Sequence, residues 1–302
     1  MEIRFDEQVA IVTGAGRGLG RSHAIAMASK GAKVVVNDFS GSNVISENAK
    51  SVVQEITSAG GEAIAHGANV ANFDQVQSMV NETIDKWGRV DILVNNAGIL
   101  RDKTFLKMSV EDMREVIDVH LMGSLNCSKA VWEIMREQSY GRIVLTSSSS
   151  GLYGNFGQTN YGAAKMAMVG VMNTLHLEGM KYNIKVNCLA PTAGTAMTDG
   201  LFPEPVFKLM PPESVSPGVV FLCSEDAPSR KVLAAGGGSF AIFKGFETEG
   251  VNLLPDELSA ESVAKYWDKI DSENNMQEPQ SGSAQSQKFA MQAAKKLGLD
   301  LS

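Results

Sequence analysis

Short apolar, β-branched runs alternate with longer stretches of helical period up to about residue 190. "QVAIVTG" (8–14), "AKVVVND" (32–38), "EAIAHGANV" (62–70), "VDILVNNAG" (90–98), "GRIVLTSS" (141–148) and "IKVNCLAP" (184–191) read as six strands. Helical patterns separate them, over 18–31, 44–59, 72–87, 109–138 (as one helix or two) and 159–180. Strands that are apolar at nearly every position must be covered on both faces. The regular alternation therefore predicts an α/β protein: a doubly wound parallel sheet, helices on both faces, right-handed crossovers.

The pattern weakens after Pro191. Residues 203–217 are rich in proline and predict a mobile segment over some feature of the molecule. "GVVFLCSED" (218–226) predicts a short helix, and "GSFAIFKGFETEG" (238–250) a last strand and turn. Residues 256–270 predict an amphipathic helix. The polar stretch 272–288 predicts disorder, and 287–297 a short closing helix. The expectation is one α/β domain over 1–250 and a C-terminal extension over 251–302, with no internal repeat.

Composition narrows the class. A 302-residue chain with 44% hydrophobic content can bury a sizeable core. Its net charge of −7 argues against a nucleic-acid surface. Cys127, Cys188 and Cys223 are widely spaced, so neither disulfides nor a zinc site is expected, and a reducing compartment is. No apolar run is long enough to span a membrane. "MEIRFDEQVAIVTG" is not a signal peptide, and "GLDLS" is not the peroxisomal SKL address. The expected location is the cytoplasm, or the peroxisome if this chain is a fragment of a larger multifunctional enzyme.

"VTGAGRGLG" (12–20) ends the first strand and opens a helix. Thr13, Gly14, Gly18 and Gly20 form TGxxxGxG, and Gly16 adds a GxGxG overlay. Such glycines let backbone N–H groups approach a diphosphate at a helix N-terminus. The alternative is a glycine-rich β-to-α turn that holds nothing. Asp38 ends the second strand, where a carboxylate accepts hydrogen bonds from the adenosine ribose of NAD and would repel the 2′-phosphate of NADP. It could instead be an ordinary strand-end turn residue. Arg17 in the loop could reach a phosphate, but no basic residue follows Asp38 in "DFSGSN", which favours NAD.

With the loop Thr13–Gly20, "NNAG" (95–98), "YGAAK" (161–165) and Ser148 thirteen residues before Tyr161, the chain resembles the short-chain dehydrogenase/reductase family over about residues 5–250. "NNAGILRDKTF" (95–105), "VHLMGS" (119–124), "YGRIVLTSSSSGLYGNFGQTNYGAAK" (140–165) and "APTAGTAMT" (190–198) resemble one subgroup more narrowly. That subgroup holds the (3R)-hydroxyacyl-CoA dehydrogenase part of peroxisomal multifunctional enzyme type 2 and its stand-alone bacterial relatives. The resemblance implies a Rossmann-type fold and NAD-dependent oxidation of a (3R)-3-hydroxyacyl-CoA to the 3-ketoacyl-CoA. It also implies a homodimer or homotetramer built on the 109–138 and 159–180 helices. Alternatives within the family are a hydroxysteroid or other secondary-alcohol dehydrogenase, and a 3-oxoacyl reductase. Two positions depart from the family pattern: its asparagine after the fourth strand stands here as His120, and its Pro-Gly pair as Pro191–Thr192.

By the same resemblance Ser148, Tyr161 and Lys165 are catalytic. Gly14, Arg17, Gly18, Leu19, Gly20 and Asp38 would meet the cofactor, with Asn69 and Val70 beside adenine. Asn96, Ala97 and Gly98 would line it, together with Tyr161 and Lys165. Pro191, Thr192, Gly194 and Thr195 would meet the carboxamide. Gly154 to Gln158 would border an acyl-CoA or sterol substrate beside Ser148, under a lid over 197–217 that includes Phe202 and Phe207. No metal is expected. A general base for an alcohol needs a pKa near working pH. Bringing a tyrosine from ~10 to about 7 requires roughly 4 kcal/mol of preference for the phenolate. Lys165, one helical turn from Tyr161 on the same face, and a positive nicotinamide ring would supply that field.

Overall fold

A computed structural model describes residues 2–41, 44–198, 200 and 203–299. The chain forms two compact units, Met1–Phe243 and Lys244–Ser302.

The first unit begins with β1 (Val9–Thr13), α1 (Gly18–Ser29), β2 (Lys33–Asn37), α2 (Glu47–Ser58), β3 (Glu62–His66), α3 (Phe73–Trp87) and β4 (Ile92–Asn95). It continues with α4 (Val110–Ile117), α5 (Gly123–Gln138), β5 (Gly141–Thr146), α6 (Ser149–Tyr153), α7 (Thr159–Gly179) and β6 (Ile184–Pro191). Then come α8 (Glu204–Lys208), α9 (Ser216–Cys223), β7 (Val232–Gly236) and β8 (Ser239–Phe243). The eight strands form one sheet in the order β3-β2-β1-β4-β5-β6-β7-β8. All neighbours run parallel except β7 and β8.

Alternate strand residues feed two cores. Ala10, Val12, Ile92, Val94 and Val144 pack on α1, α2 and α9 through Ala24, Met27, Val52 and Val219. Ile11, Leu93, Ile143 and Leu145 pack on α3, α5 and α7 through Met79, Val131, Met135 and Met168. Every residue of β1 and β5 is buried, as strands covered on both faces require. The chain leaves β1 towards β2 and β3, then returns to place β4 on β1's other side. That reversal opens a crevice at the strands' C-terminal ends, where such sheets bind ligands. Among the described residues no helix is long and apolar enough to cross a membrane.

Several expected elements differ. The third strand stops at His66 rather than at residue 70, because its partner β2 ends at Asn37, the residue that pairs with His66. The 109–138 stretch, expected as one helix or two, is two, α4 and α5, joined by a π turn, Asp118–Met122, which carries His120. Strand β7 was not expected; its partner β8 falls inside the expected 238–250 strand. The proline-rich 203–217 segment carries α8 and a 3-10 turn at Pro212–Ser214. Pro205 sits in the first turn of α8, where its missing N–H costs nothing and its fixed φ favours helix entry. Phe202 lies outside the described residues.

In the second unit the expected 256–270 helix is two short ones, α10 (Ala260–Lys265) and α11 (Trp267–Ile270). The stretch expected to be disordered contains the start of α12 (Gly282–Leu297). Ser281 caps it by accepting a hydrogen bond from Ala284 N–H. Lys288 on α12 pairs with Glu247 at 2.8 Å, and Glu247 and Gln277 exchange both backbone hydrogen bonds.

Candidate active site

The glycine loop is shaped by close approach. Gly14 and Gly18 have φ of +62° and +55°, which L side chains rarely adopt. A Cβ on Gly20 would strike the Gly14 carbonyl oxygen and lie 2.8 Å from the Gly14 carbonyl carbon. Thr13 Oγ1 accepts from Asn96 N–H and Ala97 N–H, both at 3.0 Å. Asn96 Nδ2 donates to the Thr13 and Gly14 carbonyls at 3.0 and 3.2 Å. The stretch after β4 therefore holds the loop in place, and "NNAG" is a brace as much as a lining. Gly98 faces His120, whose ring a Cβ there would strike.

Helix α1 starts with no side-chain cap on its first N–H groups and no acidic residue in its first turn. An uncapped, positively polarised helix start is a ready anion site. Arg17 is the exposed N-cap residue; Leu19 packs on the core beneath. Asp38 reaches the same loop, since a Cβ on Gly16 would meet its carboxylate. Ser46 Oγ donates to Asp38 Oδ2 at 2.7 Å, which anchors the carboxylate. Thr195 approaches from the far side; its methyl lies 3.4 Å from a Cβ placed on Gly18. Thr192 N–H donates to Ala235 O at 2.8 Å and Gly194 N–H to Met210 O at 2.6 Å, which sets the course of the Pro191–Thr195 stretch. Asn69 and Val70 follow β3, where Val70 O accepts from Asn126 Nδ2 at 2.9 Å. A diphosphate against α1, an adenosine ribose at Asp38 and a nicotinamide nearer Thr195 fit this cradle.

Ser148, Tyr161 and Lys165 meet at the C-terminal end of β5. Ser148 is the N-cap of α6, and its Oγ accepts from Ser150 N–H at 3.2 Å. Among the side chains around Tyr161, Ser148 acts to favour its phenolate. Lys165 is buried below Tyr161, its Nζ 5.5 Å from the ring centroid and donating to Thr146 O at 2.7 Å. Burial pushes the Lys165 ammonium down to about 7. Burial pushes Tyr161 the other way, above the ordinary phenol range, and Ser148 opposes this.

The His120 ring stands edge-on to Tyr161, centroids 5.2 Å apart. Its Nε2 lies 2.8 Å from Ile99 O and 3.1 Å from Ile99 N. Its Nδ1 is buried without a hydrogen-bond partner among the described residues. Burial, then the nearby Lys165, pushes His120 down to about 3, so it is neutral at physiological pH. π turns concentrate at functional sites because the extra residue re-aims a side chain.

The substrate-side expectations divide. Gly154, with φ of +81°, faces open space. Gln158 is 6% exposed, and both ends of its amide are engaged within the protein. Asp102 and Asn160, which sequence reasoning passed over, join Gln158 in tying the loop after β4 to α7. Their legible signal was the polar "RDK" and "QTN" placed beside recognised motifs.

The family model for short chain dehydrogenase matches residues 8–204. A short-chain type dehydrogenase/reductase of Mycobacterium tuberculosis is 46% identical over 269 residues, covering 87% of this chain and 94% of that protein. Peroxisomal multifunctional enzyme type 2 of Drosophila melanogaster is 43% identical over 277 residues, 89% of this chain and 46% of that protein. Its full-length structure aligns with a TM-score of 0.83 and 36% identity, over 98% of this chain and 51% of that one. The chain thus spans about half the length of that relative. A 7α-hydroxysteroid dehydrogenase structure, complexed with NADH and 7-oxo glycochenodeoxycholic acid, aligns with a TM-score of 0.71 and 31% identity. That alignment covers 78% of this chain and 95% of the other.

Proposed function

The chain belongs to the short-chain dehydrogenase family, oxidoreductases of alcohol and ketone groups that work with a nicotinamide cofactor, and on that premise we propose that it oxidises a (3R)-3-hydroxyacyl-CoA to the 3-ketoacyl-CoA with NAD. The observation that carries the reaction type is the buried Lys165, its Nζ 5.5 Å from the Tyr161 ring centroid, at the end of β5 where Ser148 caps α6. The acyl-CoA substrate is supported by the likeness to multifunctional enzyme type 2 along almost the whole chain.

When bound, NAD supplies the hydride acceptor and a positive ring charge beside the phenol. Ser148 holds the substrate oxygen, and Tyr161 takes the hydroxyl proton as the carbon–hydrogen bond gives up its electron pair. In the protein alone burial opposes the phenolate. The field of Lys165 and the ring charge must therefore overcome that burial; with water excluded, fixed charges act more strongly. Lys165 would also hold the nicotinamide ribose hydroxyls while its Nζ stays anchored on Thr146 O.

Asp38 supports NAD over NADP, since a 2′-phosphate would meet a carboxylate. Asp38→Asn is expected to shift the NAD/NADP ratio of kcat/KM by ~10-fold or more towards NADP, about 1.4 kcal/mol. An unchanged ratio in steady-state assays would remove Asp38 from cofactor choice. The substrate is tested by a kinetic panel of (3R)-3-hydroxyacyl-CoAs and hydroxysteroids, read by NADH absorbance. Turnover of sterols alone would leave the reaction type and refute the substrate.

A homodimer or homotetramer is supported by the exposed apolar Met122 and Val110 around α4 and α5 and Met166 and Leu177 on α7. Sedimentation as a monomer would refute it. A cytoplasmic location, proposed from the cysteine usage, is tested by cell fractionation.

A further inference from the structure

Gln158 is placed as a strut rather than as a substrate contact. Its Nε2 donates to Asp102 Oδ2 at 2.6 Å, and its Oε1 accepts from Ser150 Oγ at 2.8 Å and Asn155 Nδ2 at 3.1 Å. An ionised carboxylate only accepts, so Asp102 dictates which way this amide faces. The carbonyl end is thereby turned to Ser150, whose own N–H donates to Ser148 Oγ at 3.2 Å. Two further ties fix the Asp102 loop against the start of α7. Lys103 N–H donates to Gly157 O at 3.0 Å, and Asn160 Nδ2 to Arg101 O at 3.2 Å. Asn160 Oδ1 in turn accepts from Tyr161 N–H at 2.8 Å.

Three segments therefore converge on one buried amide: the loop after β4, the turn after β5 that bears Ser148, and the first turn of α7 that bears Tyr161. We propose that Asp102 and Gln158 are a positioning pair that fixes the Ser148 and Tyr161 hydroxyls relative to each other; this rests on those two being the reacting groups. The Gln158 amide is buried while Asp102 and Asn155 at its two ends are exposed, so the network is anchored at its centre, and losing one partner there loosens the geometry. Asp102 has a second effect through its charge. It adds to burial in raising Tyr161, while Lys165 on the same helix and neutral His120 from the π turn face the same ring. Lys103, next along the loop, is paired with Asp112 at 2.7 Å.

A charge swap separates positioning from substrate contact. In Gln158→Glu two carboxylates face each other. In Asp102→Asn the charge goes but the acceptor remains. In the double variant the amide introduced at position 102 can donate to the carboxylate introduced at position 158, whose other oxygen again accepts from Ser150 and Asn155. The ionisation of Tyr161 is titrated in the full-length proteins by ultraviolet difference against Tyr161→Phe, which needs no substrate. Steady-state kcat and KM are measured beside it, on whichever secondary alcohol the wild type oxidises. Asp102→Asn is expected to lower the ionisation pH of Tyr161 by about half a unit, and Gln158→Glu to raise it. Gln158→Glu should lower kcat by ~10-fold or more with KM within about twofold, and the double variant should recover to within ~3-fold of wild type. Identical Tyr161 titration in all four proteins would overturn the proposal. So would a Gln158→Glu effect confined to KM. The optical titration does not depend on the acyl-CoA reading, so the failure of either can be told from the failure of the other.

Discussion

Tyr161→Phe is expected to lower kcat by ~10³-fold or more while NAD affinity stays within about twofold, a loss of about 4 kcal/mol of transition-state stabilisation. The substitution removes one oxygen and keeps the ring that packs edge-on against His120 at 5.2 Å. The cradle for the cofactor, from Gly14 to Asp38, is built by other segments and has no part in the change. What disappears is the atom proposed to accept the substrate proton, on which Ser148 acts to favour the phenolate. Turnover is read as NADH formation, and cofactor affinity by titration calorimetry. Retained turnover would remove Tyr161 from its role.

Lys165→Met is expected to lower kcat/KM by ~10²- to 10⁴-fold and also to weaken NAD binding, because one side chain would serve both the phenolate and the ribose. Its stability effect distinguishes it from ordinary damage. The folded-state pKa of Lys165 is about 7, below the ordinary lysine value, because burial disfavours the ammonium. Between about 7 and the unfolded value near ~10.4 the unfolded chain binds the extra proton, so wild-type stability rises with pH across that window. Below about 7 the desolvation penalty is present in full. Methionine carries no such penalty. The melting temperature of Lys165→Met relative to wild type should therefore be highest below pH ~7 and fall as the pH climbs towards ~10. Loss of the bond to Thr146 O offsets part of the gain at every pH. A pH-independent difference would show that Lys165 does not carry a displaced pKa.

The strands that form the middle of the sheet were legible because burial on both faces demands continuous apolar runs, as in β1 and β5. The glycine loop was legible because its constraint is steric and local: Gly14 needs its positive φ and Gly20 its missing side chain. Strand β7 was missed because "VLAAG" has little β-branched character, and its pairing with β6 is a tertiary effect. The signal for its hairpin was nevertheless present. Gly237 and Gly238, both at positive φ, form the two-residue turn into β8 that Gly-Gly favours.

The site divides in the same way. Spacing along one helix placed Tyr161 over Lys165, since residues four apart share a face. The environment of His120 depends on the π turn, which no periodicity marks. The family resemblance places Gln158 at the border of the substrate mouth. Its burial depends on Asp102, 56 residues away in sequence.

The activity proposed for the chain is stereospecific oxidation of a (3R)-3-hydroxyacyl-CoA with NAD. It is tested most directly by offering the purified protein the (3R) and (3S) enantiomers of one 3-hydroxyacyl-CoA with NAD and following NADH. NADH is expected to form from the (3R) enantiomer and not in Tyr161→Phe, with turnover of the (3S) enantiomer lower by ~100-fold or more. Equal turnover of both enantiomers, or of neither while a sterol is oxidised, would contradict it.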